Sequence, residues 1–208
     1  MTVSTRPWLR RLVIAELAAI AIVLAVVGWY VWQSRSAPSL NGTLLDPPQE
    51  IPTIQLTGSD GQPHALTDFR GKVTVVFFGY SHCPDVCPTT LSTMARARAM
   101  LGNQTDRVQL VFVSVDPERD SPERLASYLA KYDPTFVGLT GDEERIRELA
   151  TVFGVHYAKV ESSSALGYLV EHTSSSFVLD TQGKLRAILP FGLTPEQVAS
   201  DLRALLRR

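Results

Sequence analysis

Hydrophobic and polar positions divide the chain into two unlike parts. Leu12 to Trp32 is an apolar run of 21 residues broken only by Glu16. At about 1.5 Å per residue such a helix spans roughly 30 Å, the thickness of a bilayer core. Beyond residue 50 the apolar positions come in short bursts. Lys72–Phe78, Val108–Val115, Phe136–Leu139, Ser176–Leu179 and Leu185–Leu189 are rich in β-branched and aromatic residues. Runs apolar on both faces predict central strands covered by helices. Asp180-Thr181-Gln182-Gly183 between the last two predicts a hairpin turn.

Helical spacing fills the intervals. Leu91, Met94, Ala95 and Leu101 predict a helix after Pro88. Leu125, Tyr128 and Leu129 predict another after Pro122, with Ser121 as N-cap. Ile146, Leu149, Ala150 and Phe153 follow the i, i+3, i+4, i+7 pattern, and Val198, Leu202 and Leu205 mark a last helix begun by Thr194-Pro195. This strand–helix alternation predicts an α/β fold of thioredoxin type, a central sheet flanked by helices, preceded by one N-terminal transmembrane helix.

Charge sharpens the division. The whole chain carries a net charge of -1, which argues against nucleic acid as a partner. Arg6, Arg10 and Arg11 precede the apolar run, and only Arg35 follows closely. The positive-inside rule keeps residues 1–11 in the cytoplasm and exports the body, with Trp29, Tyr30 and Trp32 at the far interface. The run is longer than the core of a cleaved signal peptide, roughly 7–15 residues, so 12–32 reads as an anchor. Glu16 lies near enough to the interface to stay hydrated. Residues 33–50 are rich in Ser, Asn, Gly and Pro and read as a flexible linker, leaving 51–208 as the globular domain. Too few residues precede the anchor for an ordinary transit peptide, so the reading is a single-pass protein of the bacterial inner membrane, its C-terminal domain in the periplasm.

The only two cysteines stand in Cys83-Pro84-Asp85-Val86-Cys87-Pro88, between a buried strand and a helix. They are too few for a disulfide scaffold. Near a helix N-terminus, unpaired N–H groups and the dipole favour thiolate. Positions i and i+4 on one helical face bring Cβ atoms about 5–6 Å apart, suiting either two sulfurs on one metal ion or a disulfide after small movements. An exposed placement at the strand-to-helix turn is expected for both. The spacer of three residues differs from the Cys-x-x-Cys redox pattern.

The run Val76 to Leu91 resembles the signature of the Sco/SenC/PrrC family. Asp68-Phe69-Arg70-Gly71-Lys72 upstream, Val113 to Glu123 downstream, and Lys159-Val160, Tyr168, Glu171-His172-Thr173 and Asp180 to Gly183 resemble its other blocks. Together they cover about residues 50–207. Glu171 stands where the family usually has Asp. The resemblance implies a membrane-anchored, thioredoxin-like copper metallochaperone whose metal ligands are Cys83, Cys87 and His172. The cargo this resemblance implies is copper, as Cu(I) and also as Cu(II). The implied partners are cytochrome c oxidase subunit II, for its binuclear copper centre, and another exported copper chaperone as donor. Soft thiolates select Cu(I), and imidazole accepts copper in either state. The alternative is a thiol–disulfide oxidoreductase that uses Cys83 and Cys87 as redox residues and needs no imidazole. His82 adjoins Cys83, but adjacent side chains diverge. His64 and His156 receive no role. Asp85 and Asp116-Pro117 lie near the site without being ligands.

Overall fold

A computed structural model describes residues 7–35, 40–161 and 167–207. The chain forms two compact units, residues 1–39 and 40–208. In the first, α1 (Pro7–Arg35) is a continuous helix of 29 residues. Its segment Val13–Tyr30 has a mean hydropathy of 2.3 and side chains exposed along its whole length. By length and composition it is able to cross a membrane. The stretch predicted to be cytoplasmic, 1–11, lies outside the described residues at 1–6. The predicted linker does so at 36–39.

The second unit is built on an eight-stranded sheet. In chain order come β1 (Thr43–Gln49), β2 (Leu56–Gly58), β3 (Pro63–His64), β4 (Val73–Gly79), α2 (Val86–Ala99), β5 (Val108–Ser114), α3 (Pro122–Leu129) and β6 (Val137–Thr140). They are followed by α4 (Glu143–Val152), β7 (Tyr157–Glu161), β8 (Tyr168–His172), β9 (Ser176–Leu179), β10 (Leu185–Leu189) and α5 (Pro195–Leu205). The sheet order is β1-β10-β9-β4-β5-β6-β2-β3. β4, β5 and β6 run parallel, and the other neighbours pair antiparallel.

β4 and β5 lie at the centre, and every residue in both is buried. Their two-sided apolar runs leave no other place for them. The rings of Phe78, Phe153 and Phe177 cluster in the core, with centroids 5.2–6.1 Å apart. α2 packs on α5, and α3 on β6. Ser121 caps α3 by accepting from Arg124 N, and Thr194 with Gln197 forms a capping box on α5. The helix expected after Pro88 begins two residues earlier, at Val86, and Leu101 lies beyond its end.

One expectation needs correction. The linker 33–50 is not a tether throughout, because Thr43–Gln49 is β1, paired with β10. Pro47 and Pro48 are tolerated there because β1 is an edge strand, where missing N–H donors face outward. Asn41 and Gly42 ahead of it donate to the buried Asp201 carboxylate of α5 at 2.8–2.9 Å. Ahead of Phe177 the sequence patterns left unread two further strands, β7 and β8, which form their own two-stranded sheet. β7 is largely exposed and carries Lys159 and Glu161, so no apolar run marks it.

Candidate metal centre

β4 ends at Gly79, at the carboxyl edge of the central sheet, and the chain turns sharply before α2. Tyr80 carbonyl accepts from Cys83 N at 3.2 Å, which closes the turn. Cys87 N donates to Cys83 Sγ at 3.4 Å. Cys83 therefore lies ahead of the helix, its sulfur folded back over the helix N-terminus. The expected shared helical face is replaced by this return. The expected exposure is also corrected: Cys87 is fully buried and Cys83 partly so. Gly79 makes the burial feasible, because a Cβ at that position would lie 2.7 Å from Cys87 Sγ. A glycine interrupting a run of Val and Phe is the sequence mark of such a close approach.

His172 closes β8, opposite Tyr157 of β7. Its Nδ1 lies 3.0 Å from Thr173 O. A carbonyl only accepts, so Nδ1 carries the proton and Nε2 presents its lone pair. Nε2 lies 3.5 Å from Cys87 Sγ. Phe77 and Tyr80 meet the imidazole edge-on at 6.0 and 5.9 Å and hold the ring upright. Tyr80 in particular carries no mark of this role in the sequence.

The ligand atoms of Cys83, Cys87 and His172 all lie within 4.8 Å of one another. Metal–sulfur bonds of about 2.3 Å and metal–nitrogen bonds of about 2.0 Å, arranged trigonally, separate ligand atoms by about 3.7–4.0 Å. A small contraction of the present arrangement suffices to hold an ion.

The two thiols differ in acidity. The hydrogen bond from Cys87 holds Cys83 down at about 4, against partial burial and with help from the backbone N–H groups of Cys87 and Asp85. Burial pushes the Cys87 thiol far up, and the neighbouring Cys83 sulfur adds to this. The pair is a thiolate on the outer residue and a thiol on the inner one. The Cys87 hydrogen has two acceptors in range, Cys83 Sγ and His172 Nε2.

The remaining residues singled out in the sequence are placed elsewhere. His82 lies 3.2 Å from Ser81 Oγ and accepts from Arg124 Nη2 at 3.3 Å. Burial and that guanidinium lower its pKa. Asp85 stands at the N-cap of α2 without a side-chain cap bond. Asp116 is buried and accepts from Arg119 and from the Tyr168 hydroxyl. His64 pairs with Asp60, and His156 meets Thr173 through its backbone.

A thioredoxin-like domain carrying two sulfurs and one imidazole within reach of a single ion defines a class of metal-handling thiol proteins. The SCO1/SenC family model matches residues 44–207, and the chain belongs to that family. The SCO2-like protein RC0895 of Rickettsia conorii is 31% identical over 151 residues, covering 72% of this chain and 74% of that one. ScoI of Bradyrhizobium japonicum, solved with copper bound, is 37% identical with a TM-score of 0.69, covering 74% of this chain and 98% of that chain. BsSco, described with a disulfide switch and as a member of the Sco family of cytochrome c oxidase assembly proteins, is 25% identical. Its TM-score is 0.61, with 78% of this chain and 97% of that chain covered.

Proposed function

We propose that the protein is a membrane-anchored copper carrier. Its body takes Cu(I) between Cys83, Cys87 and His172 and delivers it to the binuclear copper centre of cytochrome c oxidase subunit II. The observation that carries this reading is the convergence of the three ligand atoms within 4.8 Å. Two soft sulfurs with one imidazole nitrogen suit Cu(I), and three ligands leave a coordination position for an incoming group. Cys83 is the least buried sulfur, so an acceptor's ligand exchanges there first while Cys87 and His172 still hold the ion. Copper-bound ScoI, and BsSco as a member of the Sco family of cytochrome c oxidase assembly proteins, support the assignment. α1 anchors the chain in the inner membrane of a bacterium, Arg6, Arg10 and Arg11 keep its N-terminus in the cytoplasm, and the body works in the periplasm. A second exported copper chaperone supplies the metal.

The asymmetry of the thiols supports a second reading, thiol–disulfide exchange on an exported client. Cys83 thiolate attacks one client sulfur and expels the other as thiolate. Cys87, giving its proton to that thiolate, then attacks Cys83 sulfur and releases the client's second thiolate. The client gains two electrons, and a Cys83–Cys87 disulfide remains.

Anaerobic Cu(I) titration of the full chain in detergent micelles, against a competing chelator, separates the two. One-to-one binding that weakens in His172→Ala, with loss of oxidase copper in cells carrying that variant, supports the carrier. Binding indifferent to His172, with client reduction intact in the variant, overturns it in favour of exchange.

A further inference from the structure

One loop grips both halves of the metal centre. It runs from Asp116 to Asp120, between β5 and α3. Asp120 is fully buried and accepts from Ser81 N at 3.0 Å, Ser81 Oγ at 2.5 Å and Ser114 Oγ at 2.7 Å. Ser81 stands two residues before Cys83, so Asp120 anchors the cysteine turn. Asp116, also fully buried, takes an ion pair from Arg119 Nε and a hydrogen bond from Tyr168 Oη at 2.7 Å. Arg119 Nη1 donates to Tyr168 O at 3.0 Å, and its guanidinium carbon lies 3.7 Å from the centre of the Tyr168 ring. The same guanidinium lies 5.6 Å from the Tyr80 ring centre. Tyr168 opens β8, and His172 closes it.

β8 needs such a grip. Among the described residues, β7 and β8 pair with each other and not with the eight-stranded sheet. Ladder hydrogen bonds therefore do not set the height of His172 above the cysteines, and side chains must. A forked guanidinium held by a buried carboxylate and stacked on an aromatic ring is directional and stiff. The loop thus fixes Cys83 from one carboxylate and β8 from the other, four residues apart.

We propose that Asp116 and Arg119 are positioning residues for His172, acting through Tyr168, and that Asp120 positions Cys83 through Ser81. The proposal rests on the reading of His172 as a Cu(I) ligand. It makes the two halves of the loop separable. Loss of Arg119 is felt only while His172 is present, whereas loss of Asp120 is felt with or without it.

The test uses the full chain in detergent micelles and anaerobic Cu(I) competition. Arg119→Gln, Tyr168→Phe and Asp120→Asn are each made alone and combined with His172→Ala. Arg119→Gln is expected to weaken Cu(I) binding about 10–100-fold, the usual cost of losing an outer-shell partner. No further loss is expected on adding it to His172→Ala. Asp120→Asn is expected to weaken binding in both backgrounds. Nitrogen hyperfine structure in the Cu(II) spectrum is expected to fade in Arg119→Gln and persist in Asp120→Asn. Equal losses from Arg119→Gln with and without His172 overturn the proposal. A His172→Ala protein that binds Cu(I) like the parent overturns the ligand reading instead, and this is read before any double variant. Tyr168→Phe removes one hydroxyl and keeps the stacked ring, so it carries the same comparison if Arg119→Gln does not fold.

Discussion

Cys87 Sγ lies 3.5 Å from His172 Nε2, although 85 positions of sequence separate the two residues. The contact joins the first turn of α2 to the end of β8, two elements from different sheets' neighbourhoods. It turns a dithiol into a three-atom site, and it brings the inner sulfur within 3.5 Å of the imidazole nitrogen.

The unequal thiols predict selective chemistry. In the reduced, metal-free protein, Cys83 is thiolate above about pH 5 and Cys87 is a buried thiol. Iodoacetamide is expected to alkylate Cys83 first, at a rate nearly flat from about pH 5 to 8. Replacing Cys87 by Ala removes the donor that stabilises the Cys83 thiolate, so the Cys83 titration midpoint moves up and its rate at pH 5 falls. Mass spectrometry of peptides after timed alkylation checks both outcomes. Equal labelling of the two residues at pH 5 contradicts the asymmetry.

Gly79→Ala tests the close approach of β4 to the inner sulfur. The added methyl carbon meets Cys87 Sγ at 2.7 Å and the Phe112 ring at 3.0 Å, both within the core. A cost of about 1–3 kcal/mol is expected from overpacking. Cu(I) affinity is expected to fall with it, because Cys87 must move. Chemical denaturation and copper competition read the two effects.

His82→Ala is expected to leave Cu(I) affinity unchanged, despite adjacency to Cys83. Its ring is turned to Ser81 and Arg124, away from the three ligand atoms. A loss comparable to that of His172→Ala would sink this assignment.

Asp201→Ala separates stability from the site. The carboxylate is almost fully buried and receives Asn41 N, Asn41 Nδ2 and Gly42 N. Unpairing these donors is expected to cost about 1–3 kcal/mol of stability. Cu(I) affinity of the folded protein is expected to stay the same, since Asp201 contacts the segment ahead of β1 and not the cysteine turn.

Much of the fold was legible in the sequence for local reasons. β4, β5 and β9 are short runs buried on both faces, β10 alternates buried and half-buried positions behind a turn, and α3 and α5 carry their own caps. β1 was hidden because Pro47 and Pro48 read as breakers, while an edge strand tolerates them. β2 and β3 have three and two residues, too few to show a period. β7 was hidden because four of its five residues are exposed, and β8 because it is short, with Val170 its one fully buried position. At the site, Cys83 and Cys87 stood out by type and spacing. His172 stood out only through family resemblance, since a lone histidine carries no mark of ligation.

The sequence by itself determined the features that depend on neighbours along the chain. These are an apolar helix of membrane length, a cysteine pair where a buried strand hands over to a helix, and the strand–helix alternation that builds a thioredoxin-like body. Tertiary structure alone decided which sulfur is buried, which imidazole nitrogen faces it, and that one loop holds both the cysteine turn and the strand carrying His172. Hydrogen bonding and desolvation act over a few ångströms, and the residues they couple here lie up to 85 positions apart.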